Sequence, residues 1–174
     1  MSSYRMSRDR FVTIMTSAIL VLFVLVMLSV WFAFATAPRV IMAFALVLVL
    51  TVCGAITAVA YLYTPTRLVL TEQELRIERP IGPVEIGYAL VRSVHLENGW
   101  LGTSLKRPPG GNSGFFGIWG AFRSRSLGNY TMYGTRARGA VVISTTDGTV
   151  VVTPDERDRF IQELERLIAA THSV

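Results

Sequence analysis

Two apolar runs dominate the front of the chain, residues 11–37 and 40–63, with only Pro38 and Arg39 between them, and neither contains an Asp, Glu, Lys, Arg or His. A helix rises ~1.5 Å per residue and the hydrocarbon core of a bilayer is ~30 Å thick, so each run is long enough to cross it. The pattern predicts a transmembrane helical hairpin over residues 11–63, preceded by a polar cytoplasmic lead over 1–10 with frayed structure. Ala35-Thr36-Ala37 has the look of a small-residue cleavage site. The first run, however, far exceeds the ~7–15 residues of a signal-peptide core, and a second span follows at once. Thr13, Thr16, Ser17 and Ser29 are expected to bond back to their own helix. Gly54, Ala55, Ala58 and Ala60 permit close approach of another helix, either the first span or a foreign one.

From Arg67 the period changes to two. Leu68 and Leu70, then Leu75 and Ile77, alternate with polar neighbours, which predicts half-buried strands. Further strands are expected at 84–86, 91–96, 127–133, 140–145 and 149–153, with an Asp147-Gly148 turn joining the last two. A helix follows from Pro154, with Thr153 and Glu156 set for a capping box and Phe160, Leu164, Leu167 and Ile168 on one face. The expected fold is a two-helix transmembrane hairpin joined to an α+β domain over 64–174. That domain is a seven-stranded antiparallel barrel or sandwich capped by one C-terminal helix.

Charge orients this arrangement. Arg5, Arg8 and Arg10 precede the first span and Arg67 follows the second, while the turn offers only Arg39. Basic residues gather on the cytoplasmic side, which predicts an integral inner (cytoplasmic) membrane protein with both termini inside. The net charge of +5 therefore belongs partly to the membrane flanks, and no nucleic-acid partner is expected. The single cysteine, Cys53, lies within the second run, so no intramolecular disulfide forms.

Residues 98–126 form a glycine-rich, aromatic stretch without acids, which composition reads as a long loop. The motif Gly111-Asn112-Ser113-Gly114-Phe115-Phe116-Gly117, with Gly120, Phe122, Leu127-Gly128 and Tyr130 through Thr135, resembles the signature of a bacterial pleckstrin-homology-like (PH-like) membrane protein family. The resemblance covers residues 64–170. It implies a PH-like fold with a binding or scaffolding role and no agreed activity. The best-known PH domains grip inositol phosphates with basic residues in the first strand–strand loop; here that loop reads Thr71-Glu72-Gln73-Glu74, which is acidic.

Catalytic constellations are scarce. His95 and His172 are too few and too far apart for a metal site, and there is no Gly-x-Ser-x-Gly or phosphate-binding loop motif. Asp155, Glu156 and Asp158 suit the first turn of the last helix, where negative charge complements the dipole. No catalysis, cofactor or metal is expected.

Between residues 98 and 146 there is no Asp or Glu, yet Lys106, Arg107, Arg123, Arg125, Arg136 and Arg138 all lie there. Together with Phe115, Phe116, Trp119 and Phe122 they suggest a contact surface. The residues selected for it are Lys106, Arg107, Phe115, Phe116, Trp119, Phe122, Arg123 and Arg125. A membrane protein partner, met by an accessory or scaffold subunit, fits the enrichment of aromatics and arginine at interfaces. The anionic surface of the lipid bilayer fits as well. The bland alternative is a loop-side satellite of the core with its charges in water, and an enzyme completed by a partner chain is a third class. Nothing in the residues fixes an oligomeric state.

Overall fold

The computed structural model describes residues 1–97, 99 and 111–172. The chain begins in a strand, β1 (Ser2–Arg5), rises through α1 (Arg10–Ala33) and returns through α2 (Arg39–Leu62). It then forms β2 (Arg67–Leu70), β3 (Glu74–Glu78) and β4 (Val84–Gly87), and a 3₁₀ turn at Tyr88–Leu90 leads into β5 (Val91–Glu97). The remaining strands are β6 (Asn112–Ser113), β7 (Ile118–Ser124), β8 (Gly128–Gly134), β9 (Ala140–Thr145) and β10 (Gly148–Val152), and α3 (Arg157–His172) closes the chain.

Two sheets result, one in the order β1-β2-β3-β4 and one in the order β5-β9-β10-β8-β7-β6. The seven strands expected are ten among the described residues, and the all-antiparallel expectation fails at one pair, where β10 runs parallel to β8 with Val150 opposite Thr131. Two of the extra strands, β6 and β7, lie within the stretch expected as a loop. The third is β1, within the segment expected to be frayed. Ser2–Arg5 pairs antiparallel with β2, Tyr4 opposite Leu68, and the alternation of Tyr4 and Met6 carries both side chains into the core.

Since β1 and β2 are neighbours in one sheet, the hairpin is an insertion between two paired strands. Only residues 6–9 and 63–66 connect it to them. Each helix has 24 residues, a length of ~36 Å. Of the most apolar stretch, 11% of α1 and none of α2 is covered by the rest of the protein, whereas a core helix would be mostly covered.

The principal core lies between the sheets. Leu68, Leu70, Leu75 and Ile77 meet Val141, Ile143 and Val152, and Phe160 and Leu164 of α3 fill the space. A second cluster on the other face of the larger sheet joins Ile118, Tyr130, Met132, Val142 and Val151 to Val12 of α1. β9 is thus buried on both faces, which accounts for its unbroken apolar run Ala140-Val141-Val142-Ile143. The last helix begins at Arg157 rather than Pro154. Thr153 does not form the expected capping box: its hydroxyl accepts the Thr135 N–H at 2.9 Å instead. Asp155 is likewise engaged elsewhere, accepting from the Ser7 N–H at 2.9 Å and pairing with Arg136 at 2.6 Å.

Candidate functional site

The tight turn between β6 and β7 carries most of the glycine and aromatic motif. The Asn112 amide holds it, with Nδ2 donating to the Gly117 carbonyl at 3.1 Å and Oδ1 accepting from the Phe115 N–H at 3.3 Å. The Gly114 N–H donates to the Gly117 carbonyl at 3.0 Å. Gly114 sits at φ +127°, which only glycine adopts readily, and Phe116 sits at φ +63°.

This turn lies against both helices. Thr16 of α1, expected to bond within its own helix, instead donates its hydroxyl to the Gly114 carbonyl at 3.1 Å and accepts from the Phe116 N–H at 2.8 Å. A Cβ on Gly114 would stand 3.1 Å from the Met15 Cβ, and one on Gly117 would stand 3.2 Å from Thr64 Cγ2. Gly114 and Gly117 are therefore where the sheet touches helix α1 and the end of α2.

The aromatics follow the same logic. Phe115 is 5% exposed and packs edge-on against Phe23 of α1 at 6.0 Å. Phe116, half-buried, meets Tyr61 of α2 edge-on at 6.0 Å, with the Arg8 guanidinium 5.3 Å from its ring. Trp119 stacks on Tyr63 at 5.1 Å, and Arg79 lies over both Tyr63, at 5.7 Å, and Tyr133, at 5.6 Å. Phe122, by contrast, stacks on Tyr130 within the sheet at 5.9 Å.

The eight residues selected from the sequence thus separate. Phe115, Phe116 and Trp119 form the junction with the helices, Phe122 packs on the sheet, and Arg123 and Arg125 are exposed at the far end of β7 and the turn beyond it. Lys106 and Arg107 lie outside the described residues. Arg136, one of the six cations in the acid-free stretch, finds a counter-charge in Asp155 beyond it. Thr16, Tyr61, Tyr63, Arg8 and Arg79 were not anticipated. A hydroxyl in an apolar helix and tyrosines at a helix end are too common to single out.

The connection at residues 6–9 is stapled from the same side. Asp9 caps α1 by accepting the Val12 N–H at 2.8 Å, and its other oxygen accepts from the Ala137 N–H at 3.0 Å. The Ser7 carbonyl accepts from the Thr135 hydroxyl at 2.8 Å and from Arg136 Nε at 3.3 Å. At the far end of β1, Ser2 and Tyr4 donate to the Glu163 carboxylate, which these bonds hold below the usual carboxylate range. Burial first, and Glu163 second, push the Tyr4 hydroxyl up to about 12.

The first strand–strand loop is a closed turn, with the Thr71 N–H donating to the Glu74 carbonyl at 3.0 Å. The nearby Arg76 guanidinium is held between Glu74 at 3.1 Å and Glu85 at 2.9 Å, so its charge faces carboxylates. Among the described residues no group of three or more His, Cys, Asp or Glu is placed to hold a metal ion.

A protein-family model described as the bacterial PH domain matches residues 66–168. No curated protein and no solved structure matches the chain.

Proposed function

The chain belongs to the bacterial PH domain family, and from that premise we propose a membrane-anchored, non-catalytic binding module, an accessory or scaffold subunit that docks on a membrane protein complex. The observation that carries this reading is the insertion of the hairpin between β1 and β2, with the Asn112 turn packed on both helices. A domain fixed in this way presents one face at one angle, which suits docking against a protein surface.

Two further features support a protein partner over the leaflet. Phe115 and Phe116, two of the rings that would wedge among headgroups, are engaged with the protein's own helices. Arg123 and Arg125 stand four to six residues along the chain from Trp119, about 13–20 Å of extended strand. That exceeds the ~8 Å over which physiological salt screens charge.

In this reading the hairpin, residues 11–63, spans the cytoplasmic membrane. The pairing of β1 with β2 puts the N-terminal segment on the domain's side, and the basic flanks assign that side to the cytoplasm. An impermeant thiol reagent added to intact cells then labels a cysteine placed at Ala37 and spares one at Ser126. Gentle detergent extraction gives the chain in a particle larger than its monomer, with a second membrane protein at fixed stoichiometry. The double variant Arg123→Glu, Arg125→Glu releases it. Migration as a monomer under every gentle extraction overturns the docking role.

A further inference from the structure

An open groove of about 410 Å³ runs between α2 and the β6–β7 turn, walled by Ala55, Ile56, Val59 and Ala60 on one side and by Gly111, Asn112, Phe115 and Trp119 on the other. Its α2 wall is wholly apolar, and just past that wall Tyr63 stacks on Trp119 beneath the Arg79 guanidinium. The Trp119 indole N–H is buried and has no acceptor among the described residues. Arg79 pairs with no carboxylate among the described residues.

We propose that this groove holds one acyl chain of an anionic glycerophospholipid from the leaflet on the domain's side, with the Trp119 N–H donating to an ester or phosphate oxygen and Arg79 facing the headgroup charge. The proposal rests on the reading of the hairpin as membrane-spanning. A buried, unpaired N–H destabilises the protein unless an acceptor reaches it, and a phospholipid places its acceptors at the end of its chains. The sequence from apolar trough to donor to cation follows α2 from the bilayer interior toward the sheets, the direction in which a phospholipid passes from chain to headgroup. The site is separate from the loop Thr71–Glu74, which is closed and acidic.

The test uses the full chain in mild detergent, stripped of lipid and titrated with phosphatidylglycerol or with phosphatidylcholine of matched chains, read by native mass spectrometry. One phosphatidylglycerol is retained, in preference to phosphatidylcholine by about fivefold, the factor that one cation near an anionic headgroup supplies. Ala55→Phe, at an exposed helix position, fills the trough and lowers occupancy for both lipids. Arg79→Gln removes the preference and leaves binding. If Ala55→Phe does not fold, a Trp31→Phe, Trp100→Phe background isolates Trp119, and brominated phosphatidylglycerol quenches its fluorescence more than brominated phosphatidylcholine does. Equal retention of both lipids, unchanged occupancy in Ala55→Phe, or a partner helix cross-linked through residue 56 in place of lipid overturns the proposal. Recovery of the chain in the aqueous phase after alkaline washing of membranes sinks the membrane reading itself, a different result from a membrane-bound chain without lipid.

Discussion

Replacing Thr16 with valine keeps the shape of the side chain and removes its hydroxyl. That oxygen accepts from the Phe116 N–H at 2.8 Å and donates to the Gly114 carbonyl at 3.1 Å, at a position only 9% exposed. Water does not reach the site to replace it, so both backbone groups lose this partner in an apolar setting. Each buried group left unsatisfied costs roughly 1–3 kcal/mol. Phe116 is already in the left-handed region at φ +63°, so the lost bond also removes a restraint on a strained turn. The sum is about 2–6 kcal/mol, which at roughly 3 °C per kcal/mol lowers the melting temperature by about 6–18 °C. The assay is thermal unfolding of the full chain in detergent, with amide exchange followed at Phe116. Ser29→Ala is the control: that hydroxyl bonds to Leu25 of its own exposed helix at 2.8 Å, and its loss changes stability by less than about 0.5 kcal/mol. If the two variants melt within about 1 °C of each other, or if the Phe116 amide is equally protected in both, Thr16 does not join the helix to the sheet as argued.

Gly114→Ala combines a strained φ with a Cβ 3.1 Å from Met15, and costs about 2–4 kcal/mol, whereas Gly54→Ala, with open space around it, is neutral in the same melting assay. Tyr4→Ala empties a buried site in the core and costs about 3–5 kcal/mol; denaturant titration of the full chain checks it, and a loss under about 1 kcal/mol would mean that β1 is dispensable. The Glu163 carboxyl is held below its usual 4.5 by Ser2 and Tyr4, so its contribution is complete above that value and is lost as pH falls through the lower folded value. Protection of the β1 amides therefore declines in acid below about pH 4, and Glu163→Gln flattens that dependence.

The two long apolar helices and the sheet core were legible because both are written locally. The uncharged runs become two helices of 24 residues, and the alternation of Leu68 with Leu70 and of Leu75 with Ile77 ends in side chains at most 1% exposed. α3 was legible for the same reason, through Phe160 and Leu164. What escaped depends on distant partners. Ser2–Arg5 is short and polar, and only pairing with a segment 65 residues away makes it a strand. The parallel meeting of β10 with β8 leaves no local trace. Gly114 and Gly117 read as loop composition, although the structure requires them where Met15 and Thr64 approach the backbone. Thr153 and Glu156 have the spacing of a capping box and Asp155 suits a first turn, but Thr135 and Ser7 take the oxygens of Thr153 and Asp155, and the helix starts later.

The insertion of the hairpin between paired strands bears on how the molecule can respond to a partner. Had the helices ended in a flexible linker, the domain would sample many orientations, and a contact on the helices would affect the domain only by raising its local concentration. Here the register from Ser2 opposite Leu70 to Arg5 opposite Arg67 fixes the two points where the chain leaves the sheet. Residues 6–9 are held by Asp155, Thr135, Arg136 and Ala137, while Thr64 lies against Gly117. A change in the angle between α1 and α2 must therefore break these bonds or displace the Asn112 turn, since rings on that turn touch both helices. Any force on the helices is for that reason felt by the domain, and the residues that transmit it are Gly114, Phe115, Phe116 and Gly117, which meet the helices and the end of α2.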